Sequence, residues 1–180
     1  MAYPIVFTNR AAFDAVVGQY TLLRFDKGPE ETRNTATGIE VTYSNLLTVK
    51  YDASAYSFLP KEPYLIMGTM GLQSTGVVLT SVTAFGFDIL KGYRVSPDSG
   101  TVQISGVFSP SAPPSGYDVR FALAGLNFLG FWSDTPFTPT IITGPDASGA
   151  PCRIDIDNMA LKIVTTSSGV PRPPTGLNVR

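Results

Sequence analysis

The residues of this chain best suited to chemistry are Asp155, Asp157 and Asn158, in the run R-I-D-I-D-N-M-A-L. An extended chain repeats every two residues, so Asp155 and Asp157 share one face. Their side chains offer oxygen ligands, the kind that a hard cation such as Ca²⁺ takes. They equally suit acceptance of backbone N–H bonds from adjoining loops. Glycoside cleavage needs two carboxylates across a cleft, about 5 to 10 Å apart. Asp88, Asp134, Asp155 and Asp157 can supply such a pair, but nothing in their spacing requires it. The chain is therefore expected not to be an enzyme.

Aromatic residues form the second group. An aromatic ring suits the apolar face of a pyranose, and Tyr56, Tyr64, Tyr93 and Trp132 are the candidates for ligand or partner contact. Trp132 and Phe131 must point to opposite sides of a regular strand, and a lone Trp is more often core than platform. The tyrosines sit in irregular segments, where contact residues concentrate.

Composition removes several chemistries. The 180 residues include no His, which excludes Ser-His-Asp and Cys-His catalysis and ordinary zinc hydrolysis. The single Cys152 cannot form an internal disulfide and reads as a loop or strand-edge residue. A net charge of −1 with scattered Lys and Arg gives no basic face for nucleic acid. No apolar run is long enough to span a bilayer. The opening M-A-Y-P-I-V-F-T-N-R is not a secretory signal as written, so either a signal has been removed or the protein is used without that export route.

The elements that must position these groups are mostly strands. Ile5-Val6-Phe7 is extended, and Thr8 or Asn9 can cap a short helix over Arg10 to Val17 that Gly18 stops. Strand character follows over Thr21 to Asp26, Ile39 to Ser44 and Leu46 to Tyr51, with a polar stretch from Lys27 to Gly38 between the first two. Asp52 to Gly76 is irregular. Val77 to Thr80, Val82 to Leu90, Thr101 to Phe108, Asp118 to Leu123, Phe128 to Trp132, Thr138 to Ile142 and Ile154 to Val164 complete the strands. Some ten short strands with abundant Gly and Pro predict an all-β fold, an antiparallel β-sandwich or jelly roll with one short N-terminal helix. Residues 1–164 form this domain and residues 165–180 an extended Pro-rich tail.

Five segments, in this order, carry a family resemblance: F-T-N-R-A-A-F-D-A-V-V-G, L-L-R-F-D, V-T-A-F-G-F-D-I, F-L-G-F-W-S-D-T-P-F and I-D-I-D-N-M-A-L. Through most of residues 5 to 164 the chain resembles lectin-like β-sandwich domains of bacterial surface proteins that carry PEP-CTERM sorting signals. The resemblance implies a noncatalytic extracellular module. It also implies a structural Ca²⁺ between the first and last strands, which would add Asp26 to Asp155 and Asp157 as ligands. The chain departs from that family in showing neither its export signal nor its sorting segment. The ending P-R-P-P-T-G-L-N-V-R resembles the opening strand of a fibronectin type III domain, and such modules occur in phage tail proteins.

The expectation is thus a structural or adhesive module of a phage virion, in the tail or baseplate, with binding of a host-surface polysaccharide. The alternative is a secreted carbohydrate-binding domain, extracellular or at a cell surface; a polysaccharide hydrolase or lyase comes last. Leu177 and Val179, two apart after the prolines, would lie on one side of an extended tail and dock on another protein subunit. The V-T-A-F-G-F-D-I-L strand is expected to be central. Replacing Phe87 by Ala should then cost about 3 to 5 kcal/mol in chemical unfolding; a loss below about 1 kcal/mol would move Phe87 out of the core.

Overall fold

The computed structural model describes residues 4–52, 63–68, 74–90, 101–107, 117–122, 125–143 and 154–164. Their elements are β1 (Ile5–Phe7), α1 (Arg10–Val17), β2 (Thr21–Leu23), β3 (Glu31–Asn34), β4 (Gly38–Tyr43), β5 (Leu47–Asp52), β6 (Leu65–Met67), β7 (Ser74–Val78), β8 (Val82–Leu90), β9 (Thr101–Val107), β10 (Tyr117–Ala122), β11 (Phe128–Thr143) and β12 (Ile154–Ile163). Every strand pairing is antiparallel, as the all-β sandwich reading expects. Among the described residues, no helix is long and apolar enough to cross a membrane.

The helix begins where the sequence places it. The Asn9 side chain accepts the Ala12 backbone N–H at 3.1 Å, satisfying one of the donors a helix start leaves open. Gly18 ends it with φ of 68°, and its N–H donates to the Asp14 carbonyl at 3.0 Å. Phe13 and Val17, one turn apart, are the buried face.

Two sheets share one strand. The first runs β1-β11-β8-β12, with β2 and β6 both on the far edge of β12; the second runs β3-β4-β5-β7-β11-β9-β10. β11, 16 residues long, pairs with β8 through Phe128 to Trp132 and with β7 and β9 from Thr138 onward. Its register slips between Trp132 and Phe137. There Ser133 Oγ accepts the Thr135 N–H at 3.1 Å, and Pro136 offers no N–H to a ladder. The main core lies between the sheets, with Phe85, Phe87, Phe131, Leu129, Ile156 and Leu161 meeting Val41, Tyr43, Leu47 and Val49. Phe85 and Phe131 stack with centroids 5.1 Å apart.

A second, smaller core lies on the outer face of the first sheet, beneath α1. Phe13, Val17, Ala84, Phe128 and Ala160 form it, with Trp132 packed against it. Gly86 and Gly130 face each other across β8 and β11, and the Phe128 ring lies over both. A Cβ at Gly86 would come within 2.7 Å of Phe128, and one at Gly130 within 2.7 Å of both Phe128 and Phe13. The helix rests on a bare patch of backbone.

Four segments differ from the sequence reading. β3 arises inside the stretch read as polar loop, because its residues are all exposed and leave no apolar period to find. Its place is secured by charge: Arg33 donates to Glu40 at 2.6 Å, and Lys50 pairs with the same carboxylate at 3.0 Å, in a row across β3, β4 and β5. β6 and the start of β7 arise within the segment read as irregular. The strands expected over Phe128 to Trp132 and Thr138 to Ile142 are one. β2 stops at Leu23 although the alternation runs on to Asp26. The Pro-rich tail, residues 165–180, lies outside the described residues.

Two buried tyrosines differ in one respect. Tyr51 donates its hydroxyl to the Ile66 carbonyl at 2.6 Å; the Tyr43 hydroxyl, buried against Phe25, has no partner among the described residues. Burial pushes Tyr43 up to about 12, and burial followed by the nearby Tyr43 holds Tyr51 well above its ordinary value. Both stay neutral in the fold at pH values where the unfolded chain ionises them. Stability should hold up to about pH 10, the unfolded tyrosine range, then fall as pH rises toward the folded pKa values. Tyr43→Phe should be neutral or stabilising by up to about 1 kcal/mol, whereas Tyr51→Phe should cost about 1 kcal/mol. Urea unfolding at about pH 7 and about pH 10.5, on either side of the unfolded tyrosine pKa, checks both; a costly Tyr43→Phe would mean that its hydroxyl is satisfied.

Candidate functional site

On the far edge of β12, β2 pairs with Met159 to Leu161 and β6 with Ile154 to Ile156; among the described residues no strand pairs with Asp157 and Asn158 on that edge. At that gap is a cleft of about 360 Å³ lined by Arg24, Asp26, Pro63, Tyr64, Leu90, Asp157 and Asn158. Alternation explains the lining. Leu23 and Phe25 turn into the core, so Arg24 and Asp26 turn out; Ile156 turns in, so Asp157 turns out.

The gap coincides with a bulge. The register of β12 on β8 moves from Asp157 opposite Asp88 to Ala160 opposite Gly86, one residue more on β12. Asn158 has φ of 47°, the left-handed region that Asn tolerates better than most side chains. The extra residue flips the phase of the strand, from Ile154 and Ile156 facing the core to Met159 and Leu161 facing it.

A polar cluster holds this bulge from the outer face. Arg10, the first residue of α1, donates to Asp88 Oδ1 through Nε at 2.9 Å and Nη2 at 2.7 Å. Nη2 also donates to the Asn158 carbonyl at 2.7 Å, and the guanidinium lies 4.6 Å over the Phe128 ring. Burial works to lower the Arg10 pKa, but the hydrogen bonds and charges of Asp88 and Tyr20 together outweigh it and raise the value. Asn158 Nδ2 donates to Asp88 Oδ2 at 3.0 Å, and the Asn158 N–H donates to Asp157 Oδ1 at 2.7 Å. Asp88 is thus committed to the fold.

The expected Ca²⁺ ligands do not converge. Asp26 and Asp157 share the cleft, but Asp155 is buried at 3% exposure between Leu90 and Ile66 and has an interaction of its own. Among the described residues no group of three or more such side chains could hold a metal. Asp155 and Asp157 do share a face; they differ because β6 covers the first and ends before the second.

The aromatic candidates separate. Tyr64 lines the cleft; Trp132 lies away from it, half-buried opposite Ile5 and Ala84 on the second core. Tyr56, Tyr93, Leu177 and Val179 lie outside the described residues. Of the carboxylates weighed for glycoside cleavage, Asp134 is exposed on β11 and accepts from Thr135 at 3.2 Å, and Asp155 is buried. Sequence reasoning missed Arg10 and Arg24. The signals were a basic residue opening the helix and the L-R-F-D alternation continuing past the strand.

No protein-family description matches the chain, and neither does any curated protein. Among solved structures, it is similar to the catalytic domain of a GH87 alpha-1,3-glucanase in complex with nigerose, at 16% identity and a TM-score of 0.33. That match covers 86% of this chain and 30% of the glucanase chain. It is also similar to a GH31 CBM32-2 bound to GalNAc, at 11% identity and a TM-score of 0.34, over 89% of this chain and 99% of the other. At such scores the likenesses carry no functional weight.

The Arg10–Asp88 pair should be stabilising and cooperative, since either partner alone is left partly buried, with side-chain exposures of 24% and 28%. Arg10→Ala and Asp88→Ala should each cost about 1–3 kcal/mol in urea unfolding. The double variant should cost less than their sum, by about 1 kcal/mol or more. Simple additivity would show that the pair does not act as a unit.

Proposed function

We propose that this domain is a noncatalytic carbohydrate-binding module and that the β2–β6 gap is its binding cleft. The observation that carries the proposal is the convergence there of one aromatic ring, one guanidinium, two carboxylates and one amide. Sugars are held by such a combination: a ring against a C–H face, and planar polar groups sharing bidentate bonds with adjacent hydroxyls. The cleft volume falls in the range of small-molecule sites, about 300–1,000 Å³. Neither Arg24 nor Asp26 has an ion-pair partner among the described residues, so both can turn to a ligand.

A binding role is favoured over hydrolysis because Asp88, the carboxylate opposite Asp157, is engaged on both oxygens. The remaining pair, exposed Asp26 and half-buried Asp157, has no apolar enclosure of the kind around a general acid among the described residues. An extracellular setting accords with this reading. Nothing among the described residues favours a virion over a secreted protein, and the proposal is confined to the cleft.

Titrating ¹⁵N-labelled protein with neutral gluco-, galacto- and manno-oligosaccharides should shift the Arg24, Tyr64 and Asn158 resonances at micromolar to millimolar concentrations. Tyr64→Ala and Arg24→Ala should each weaken binding about tenfold, the loss of ~1.4 kcal/mol, with unfolding curves unchanged within about 0.5 kcal/mol. No shift at the cleft with any of the three, or release of reducing ends, would overturn the proposal.

A further inference from the structure

The wall of the cleft formed by Asp157 and Asn158 is polarised in one direction, and the groups that polarise it lie behind it. A carboxylate only accepts hydrogen bonds, so Asp88 Oδ2 at 3.0 Å dictates which end of the Asn158 amide faces it: Nδ2. Asn158 Oδ1 is thereby turned away from Asp88 as an acceptor. The two backbone groups of Asn158 are also fixed, its N–H on Asp157 Oδ1 and its carbonyl on Arg10. One oxygen of Asp157 is used in this way, leaving the other for the cleft. The wall therefore presents acceptors, joined by the Asp26 carboxylate; the donors facing them are Arg24 and the Tyr64 hydroxyl.

We infer that Arg10 and Asp88, neither of which lines the cleft, are positioning residues that keep the Asp157–Asn158 wall acceptor-only, so that the cleft takes neutral or amine-bearing sugars and disfavours uronic acids. The inference rests on the carbohydrate reading above. Hydroxyls and protonated amines donate to such a wall, whereas a uronate sets acceptor against acceptor and like charge against like. Among the described residues, two carboxylates against one guanidinium line the cleft, a negative balance that acts in the same sense.

The test compares binding of a neutral gluco-oligosaccharide, a chitosan oligosaccharide and an oligogalacturonate to the wild type, Asp88→Asn and Asn158→Gly. In the wild type, the oligogalacturonate should bind about tenfold or more weakly than the other two, or about 1.4 kcal/mol. In Asp88→Asn the new amide can donate to Asn158 Oδ1 and free the Asn158 side chain to turn, so this gap should narrow to within about threefold. Asn158→Gly, whose residue suits the positive φ, removes the amide and its bond to Asp88 Oδ2 while leaving the Arg10–Asp88 pair in place, and should narrow the gap too. The Asn158 side-chain amide resonances should move in Asp88→Asn without ligand. Equal weakening of all three sugars in both variants, or tightest wild-type binding of the oligogalacturonate, would overturn the positioning role while leaving the carbohydrate reading intact. No wild-type binding of any of the three would overturn the inference, and with no binding of the galacto- and manno-oligosaccharides either, the carbohydrate reading as well.

Discussion

One guanidinium ties three distant parts of the chain together. Asp88 and Asp157 stand directly opposite each other on neighbouring strands, a placement that destabilises a sheet when both carry charge. Arg10 supplies the compensating charge to the first, and the Asn158 N–H occupies an oxygen of the second. The same guanidinium grips the Asn158 carbonyl, where β12 takes in its extra residue. Without that residue, Met159 and Leu161 would face outward and the last strand would lose half of its core contacts. The helix start, the central strand and the phase of the last strand are settled at one point.

The sheet edges are managed in two different ways. At β3 every side chain is exposed, and the Arg33–Glu40–Lys50 row makes the edge a charged one. Charge on an edge discourages pairing with another chain. At β12 the edge is covered instead by two short strands from separate parts of the chain, and they do not meet. Among the described residues, the cleft lies between them. Its Asp157–Asn158 wall belongs to β12, which β8 holds on the other edge over nearly its whole length, and strands place binding groups more accurately than loops do.

Much of the fold was legible because burial leaves a period. The Asn9 cap, the Gly18 stop and the alternation in V-T-A-F-G-F-D-I-L all follow from local chemistry. β3 was not legible, since its cause is a charge row on strands next in space. The unity of β11 was hidden by S-D-T-P, which reads as a turn and is a kink in a continuous strand. In the site, Asp157 and Tyr64 could be picked out by type and Asp26 only through the family resemblance, and all three line the cleft; Asp155 and Trp132 share the type but not the place. The bulge was visible in principle. I-D-I-D-N-M-A-L-K-I keeps a period of two only if one residue is skipped at Asn158, and a strictly regular strand reading passes over the skip.

The two ends of the described fold are neighbours in space, and this orders events in time. β1 lies on β11 and β2 on β12, while α1 is seated over backbone from β8 and β11. None of β1, α1 and β2 has its partner until β8, β11 and β12 have been made. The β3-β4-β5-β7 ladder, whose members follow one another closely in sequence, can form far earlier. During synthesis β1, α1 and β2 are thus made well before the strands that bury them. Phe7, Phe13 and Val17 stay open to water, and to chaperones, until β11 and β12 arrive to close over them.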